Sequence, residues 1–591
     1  MHHPQKTARH AALVALLVVG CGSNNTPEAP VKITPPPPIV DLRADSNRNG
    51  KIDLDDPTED ANEDTWDATH GAIFLANIDD DLKACAVKDD SGRPLPDDAL
   101  AACNDAQNDV VDGDDDLLDL APLATVAWPA APDEATATLT VDAKGTAFVR
   151  LFRKTDAGYV AFDPGTTTFN ADEIRAGLDL RLEGKDVVRD PAVWDGFVSL
   201  TWRIVHPGSP PNAANGRDAF DTSDVVRMRV APVLLSHHAS PAERVFATKV
   251  PAEESTLFRN DLQAAMKASG LGMLEALTVP STDQWTQDFF ETGFMSMPAP
   301  DGKQQAMRVV IRSSNVYTPK SATNPLRPAG KVVWTFFRGK DIAGLVAYDK
   351  THPQNSDSLN SFGNTETIPP YENAGKKWPL GRILRGGIKG FMPDPALELL
   401  FESQQIQRPL LIDTSWLLVG HVDETLSFLP VTDGTPKERP WLLLVADPTG
   451  AKKMLEDQVK AGHGDEKMFV GQFFYDKDGG VVPADVSLTA ALADADRMAA
   501  TATAATNIDG QLDVLRKEVG LSDDQLIRAP ALFENPYPGV GIAWQPGTVN
   551  GILLGPKHFG SPKPHGPVIE GKDLMEADLE KTLAAKGITV H

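Results

Sequence analysis

The period of the apolar positions changes along the chain. Between about 120 and 230 the stretches TATLTVDAKGTAFVRLF, DGFVSLTWRIV and DVVRMRVAPVLL alternate apolar and polar residues between Gly, Pro, Asn and Asp turns, a period of two that predicts a β-sandwich. Beyond 230, short apolar runs such as RVVIRSSN and PWLLLVAD interleave with segments of helical period, ESTLFRNDLQAAMKASG and TNIDGQLDVLRKEVG, which predicts a mixed α/β domain over 231–591. The stretch SLTAALADADRMAATATAATN is Ala-rich and reads as helix, not linker. No internal repeat is visible by eye. At the N-terminus, Lys6 and Arg9 precede the short apolar run AALVALLVVG, which predicts a signal peptide over 1–20. No other stretch approaches the ~18 uninterrupted apolar residues of a membrane helix.

Composition sharpens this outline. With 591 residues and 41% hydrophobic content the chain can bury several cores, about three units by the usual span of ~100–200 residues each. The net charge of −27 is concentrated: residues 41–119 hold 24 Asp/Glu against 6 Lys/Arg. So dense an anionic region repels nucleic acid and anionic lipid and calls for cations. Val18, Val19 and Gly20 before Cys21 resemble a bacterial lipoprotein cleavage box, so Cys21 is expected to carry the lipid that anchors an exported cell-envelope protein. A plain secretory signal with an incidental Cys is the alternative. Residues 21–40 then read as a Pro-rich tether. In an exported chain Cys85 and Cys103 are allowed to form a disulfide, though spacing alone does not decide it.

The acidic region, placed in a domain over 41–230, is organised. DSNRNGKIDLDD puts Asp45, Asn47, Asn49, Asp53 and Asp56 at loop positions 1, 3, 5, 9 and 12 with Gly50 at position 6, the oxygen-ligand spacing of an EF-type calcium loop. Asp56 stands where a Glu usually binds through both oxygens. Downstream, Asn77, Asp79, Asp80 and Asp81 form one cluster, and Asp105, Asn108, Asp109, Asp112, Asp114, Asp115, Asp116 and Asp119 another. We take Asn77, Asp79, Asp81, Asp116 and Asp119 as their ligands. Hard oxygen donors favour several Ca²⁺ ions over Zn²⁺ or Cu²⁺. A solvated acidic face is the bland alternative.

Chemistry of another kind sits in the α/β domain. WLLVGHVDETLSFLP places His421, Asp423 and Glu424 between two apolar runs, either as a satisfied buried network or as the working end of an enzyme. If GHVDE is extended, His421 and Asp423 share one face and Glu424 takes the other; a His beside a carboxylate that sustains its charge can act as a general acid. Three further polar islands, DQWTQDFFETGF, NSFGNTETIPP and WPLGRILRGG, interrupt the apolar texture.

Taken in order, WTQDFFETGF, SFGNTETIPP, PLGRILRGG, WLLVGHVDETLSFLP and VNGILLGPKHFGSPKPHGPVIEG resemble the successive signatures of the peptidylarginine deiminases, a likeness that runs from about residue 41 to the end. It implies an α+β multidomain chain: a calcium-binding immunoglobulin-like β-sandwich, then a five-bladed α/β propeller of the pentein type. It also implies roles. Asp288 and Asp423 match the carboxylates that grip a substrate guanidinium, a planar fork suited to paired acceptors. Trp285 matches the ring that walls the slot, and His421 the general acid. Gln287, Glu291 and Glu366, with the carbonyls of Phe362 and Thr365, match a calcium set beside the cleft. Phe289 and Arg312 stand where the family carries a Glu and an Asp of a neighbouring calcium site, so that site is expected to be absent.

The family's nucleophile is a Cys in a Gly-x-x-His-Cys-Gly segment a little beyond the last matching stretch, and the sequence stops at His591. The last blade is therefore expected to be incomplete in a shortened record of a longer gene. By resemblance the activity is calcium-dependent hydrolysis of peptidyl-arginine to citrulline and ammonia, on arginine-containing proteins or peptides. The alternative is a noncatalytic, calcium-binding surface lipoprotein that recognises arginine side chains.

Overall fold

The computed structural model describes residues 36–209, 217–279, 282–317, 324–351, 358–431, 439–475 and 479–591. The expected signal peptide, Cys21 and most of the expected tether fall outside these residues. Among the described residues no helix is long and apolar enough to cross a membrane.

Two five-stranded sheets form the region up to Val230. One orders its strands Leu42–Ala44, Ala121–Thr125, Asp179–Gly184, Val149–Thr155 and Gly158–Phe162, all antiparallel. The other runs Ala72–Phe74, Phe220–Val230, Phe197–His206, Thr136–Val141 and Thr168–Phe169, its first pair parallel. Phe197–His206 buries every second side chain, so the alternation in the sequence becomes one inward and one outward face. Both inward faces feed a single apolar cluster, with Leu151 and Leu182 from one sheet meeting Leu200 and Met228 from the other. That cluster does not stop at 230; it continues through Met295, Ile311 and Leu345 to Leu400.

The rest of the chain repeats one backbone plan. An antiparallel hairpin is followed by a strand parallel to its second arm: Phe290–Ala299, Lys303–Arg312 and Ile342–Val346; then Thr365–Ile368, Arg382–Gly386 and Leu410–Ile412; then Leu426–Pro430, Trp441–Asp447 and Leu526–Pro530; then Ile552–Leu553, His558–Gly560 and Thr589–Val590. Helices Pro395–Ser403, Ala495–Val519 and Leu574–Ala584 make the last three crossovers. A fifth unit holds only the parallel pair Phe246–Thr248 and Glu275–Leu277 around helix Glu253–Ala268. A repeat is thus present in topology that was invisible in residue identity.

The Ala-rich stretch is helical, in two pieces. Its first part is the helix Leu488–Ala493, which stops at extended Asp494; the Asp494 side chain then caps Ala495–Val519, one helix that runs on through TNIDGQLDVLRKEVG to left-handed Gly520. In the acidic cluster, Asp114–Asp119 is a short helix. It buries Asp116 and Asp119.

Candidate active site and metal sites

Three of the repeated units open with the same device, a one-turn 3-10 helix just before the first strand. Thr286–Asp288 precedes Phe290, Phe362–Asn364 precedes Thr365, and Val422–Glu424 precedes Leu426. In each, the N–H of the residue after the turn bonds the carbonyl of its first residue. These turns carry Asp288, Glu366 and Asp423 to the wall of one open cleft of about 2690 Å³. GHVDE is therefore a turn and not an extended strand. Gly420 enters it at φ +81, a conformation most side chains resist, and the Glu424 carboxylate accepts the N–H of His421 at 2.8 Å.

The turn still brings the predicted pair together. His421 Nδ1 lies 3.9 Å from Asp288 Oδ1 and 4.0 Å from Asp423 Oδ1. Its Nε2 sits 2.8 Å from the Ser358 carbonyl; a carbonyl only accepts, so Nε2 bears the proton and Nδ1 faces the carboxylates. Burial lowers the His421 pKa, and Arg327 and Arg385 push the same way, outweighing Asp288. The expectation that the neighbouring carboxylate sustains the charged imidazole is thus reversed by desolvation. Glycine at 363 has a specific cause: a Cβ there would meet His421 Nδ1 at 2.5 Å and Asp423 Oδ2 at 2.8 Å.

Carboxylates crowd the cleft. Burial, with Glu366, Glu424 and Asp288 nearby, pushes Asp423 well above the usual carboxylate range, and its Oδ1 is buried without a hydrogen-bond partner. Burial also raises Glu424 to about 7 and Glu291 to about 7. Trp285 stands 63% exposed at the rim and does not close over the slot in this structure. Of the implied calcium set, Phe362, Thr365 and Glu366 are buried, Glu291 is half-buried and Gln287 exposed. Glu366 Oε2 meets an imidazole the sequence reading did not single out, His238 Nδ1 at 2.7 Å. Burial opposes charge on that ring, yet Glu366 lifts it to about 9, so a cation already answers this carboxylate. The donor set of carboxylates, an amide and carbonyls fits a hard cation.

Phe289 is fully buried in an apolar cluster with Val310 and Trp334. Arg312, equally buried, pairs with Asp97 at 2.9 Å. Neither side chain offers an oxygen ligand.

The acidic region holds its candidate ligands in two places. In the 45–56 loop the Asp45 carboxylate accepts the N–H groups of Asn49 and Gly50 at 2.8 and 2.9 Å, and the Asn47 amide reaches Asp56 at 3.3 Å. Asp56 also caps the short helix Pro57–Asp60, a second duty for the position-12 residue. Asp53 donates its N–H to the buried Glu59 at 2.7 Å, while Asn49 caps its own turn through Lys51. In the second place, carboxylate oxygens of Asp79, Asp81 and Asp119 lie within 4.8 Å of one another. Burial and mutual repulsion raise Asp79 to about 10 and Asp119 to about 8, and both Asp79 oxygens lack a partner. Asn77 links Asp116 and Glu183 beside them at 2.7 and 3.0 Å. Cys85 and Cys103 are joined as a disulfide.

Sequence reasoning missed Asp283, Arg327, Asp341 and Asn550. Asn550 hydrogen-bonds Asp423 from the start of the fourth unit, and Gln305 ties Asp119 to Asp341 at 2.8 and 3.0 Å. Asn550 lies inside the quoted stretch VNGILLGPKHFG, just before the first strand of its unit as the other site residues lie before theirs, a correspondence that only the topology shows.

Compared with known proteins, residues 221–591 match the family profile Protein-arginine deiminase (PAD). The chain belongs to the protein-arginine deiminase family. It is 30% identical over 402 residues to human protein-arginine deiminase type-1, covering 66% of this chain and 55% of that one. To the human type-4 protein it is 30% identical over 380 residues, 63% and 52%. To rat (Rattus norvegicus) type-4 it is 27% identical over 573 residues, 93% and 77%. The chain thus spans about half the length of the two human deiminases in these matches.

Proposed function

We propose that this protein binds peptidyl-arginine and supports its calcium-dependent deimination to citrulline and ammonia. One observation carries the reading: a cleft with two carboxylates flanking an imidazole and too few cations to balance its acids. A guanidinium between Asp288 and Asp423 supplies the charge that lets Asp423 ionise, and the unpartnered Asp423 Oδ1 gains a charge-assisted hydrogen bond. The approaching cation's slot is bordered by Trp285, whose face suits a guanidinium. The cleft exceeds the few hundred to ~1,000 Å³ of a small-molecule pocket, which favours arginine within a polypeptide over free arginine.

In the deimination, an oxygen from water replaces one guanidinium nitrogen, which leaves as ammonia. His421 is neutral in the resting cleft and presents Nδ1 to the slot; it takes a proton there and delivers it to the leaving nitrogen. Calcium held by Gln287, Glu291, Glu366 and the carbonyls of Phe362 and Thr365 would neutralise the wall of the cleft behind the substrate. Further ions belong to Asp45, Asn47, Asn49, Asp53 and Asp56, and to Asn77, Asp79, Asp81, Asp116 and Asp119. In this reading 41–230 is an immunoglobulin-like calcium domain and 231–591 a propeller whose five units surround the cleft. Export behind a Cys21 lipid anchor suits it, since calcium is abundant outside the cytoplasm.

A second reading has its own support. Among the described residues no thiol lines the cleft, and Cys85 and Cys103 are held in a disulfide, so a calcium-binding protein that recognises arginine without turnover fits the same geometry. The test starts from the gene read past the codon for His591. The product of the complete reading frame is incubated with benzoyl-arginine amide, with calcium or chelator, and citrulline is measured. We expect citrulline only with calcium, and none from His421→Ala or Asp288→Ala. Binding without ammonia release supports the second reading; turnover by Asp288→Ala, or no binding at all, sinks the first.

A further inference from the structure

Among the cations that line the cleft, Arg327 is locked between two carboxylates. The Arg327 guanidinium grips Asp283 with two parallel bonds, Nε to Oδ2 at 2.6 Å and Nη2 to Oδ1 at 2.8 Å. Its remaining nitrogen, Nη1, donates to Asp288 Oδ2 at 2.7 Å. The side chain is 9% exposed and its guanidinium lies 5.2 Å from the centre of the Phe289 ring. Its backbone is moored as well: the N–H donates to the Asn315 carbonyl at 2.9 Å, and the carbonyl accepts from buried Arg312. So many fixed contacts distinguish it from a mobile surface arginine.

Asp283 and Asp288 bracket the turn that carries Trp285 and Gln287. One guanidinium therefore cross-links both ends of that turn. It also divides the Asp288 carboxylate, occupying Oδ2 and leaving Oδ1, which stands 3.9 Å from His421 Nδ1, as the oxygen that faces the slot.

We propose that Arg327 is a positioning residue for arginine recognition: it staples the 283–288 turn and aims Asp288 so that a substrate guanidinium meets that carboxylate through Oδ1 alone. The two-oxygen grip on the substrate then falls to Asp423. This rests on the reading of Asp288 as a substrate carboxylate, and it assigns a role to a resident cation that the substrate does not displace.

The experiment uses the full chain with calcium and benzoyl-arginine amide, measured by calorimetry for wild type, Arg327→Gln and Arg327→Lys, with thermal melts to confirm folding. Arg327→Gln should weaken binding at least about tenfold, on the order of 1.4 kcal/mol lost for each factor of ten. Lysine restores charge but not the fork, so Arg327→Lys should recover only part of the loss. A second arm needs no ligand: the imidazole midpoint of His421, followed by NMR. The charges around that ring are Asp288, Asp423, Arg327 and Arg385; loss of the 327 cation should move the midpoint up in Arg327→Gln and leave it near wild type in Arg327→Lys. Unchanged or tighter binding by a folded Arg327→Gln overturns the proposal, the latter marking Arg327 as a competitor of the substrate. Wild type that binds no benzoyl-arginine amide defeats the reading of the cleft instead, and an unmoved His421 midpoint then defeats the placement of Arg327 on its own.

Discussion

At the scale of single residues, the cleft is a set of acids held in surroundings that disfavour their charge. Glu424 shows the consequence for stability. Its carboxyl is raised from 4.5 to about 7 by burial, so the folded chain holds a proton that the unfolded chain releases earlier. The stability this lends is full below about 4.5 and is lost as pH rises through about 7. Asp79, Asp119 and Asp423 act in the same direction. In chelator, the melting temperature should therefore fall between about pH 5 and pH 8; a rise across that interval would contradict the placement of these groups. Asp423→Asn removes one such burden and can keep the Asn550 contact. It should raise the melting temperature at about pH 8 while abolishing arginine binding, the exchange of stability for function expected of a working site.

At the scale of elements, what could be read in advance depended on whether the signal was local. The alternation in DGFVSLTWRIV became the strand Phe197–His206 because one face of a sheet needs nothing but a period of two. GHVDE misled because a period-two reading ignores its own ends: Gly420 turns the chain and Glu424 reaches back to the His421 N–H, while the packing that holds this turn in the cleft comes from distant segments. The pairing of Arg327 with Asp283 and Asp288 was illegible for the same reason: the partners come from sequence-distant segments that only the fold brings together. The 3-10 turns explain why the site residues recur at similar places in successive units, and Gly363 tests how closely they are packed. Gly363→Ala would press a methyl against two side-chain ends, not against backbone. The fold should survive, with the melting temperature little changed, while displacement of His421 and Asp423 costs deimination on the order of 10²-fold. Near-wild-type turnover would show that the pair tolerates movement.

At the scale of the whole molecule, the acidic region and the first two repeated units share an apolar cluster and a set of charged ties. Leu400 and Leu200 belong to the same apolar cluster, Leu100 packs with Phe289, and Arg338 donates to the carbonyls of Leu100 and Cys103 at 2.6 Å each. Arg312 pairs with Asp97 in full burial, and Gln305 joins Asp119 to Asp341. Parts bound so extensively should melt together. Calcium that binds only the folded chain adds about 2.7 kcal/mol at a hundredfold excess over its dissociation constant, and the shared core spreads that gain over both regions. A calorimetric scan should show one transition that calcium moves upward as a whole. Asp119→Asn should blunt the shift, although Asp119 lies outside the cleft, because it removes a charged donor from the Asp79, Asp81 and Asp119 cluster. Two separate transitions, with calcium moving only one, would mean that the acidic region folds independently and that its ions reach the cleft through no mechanical link.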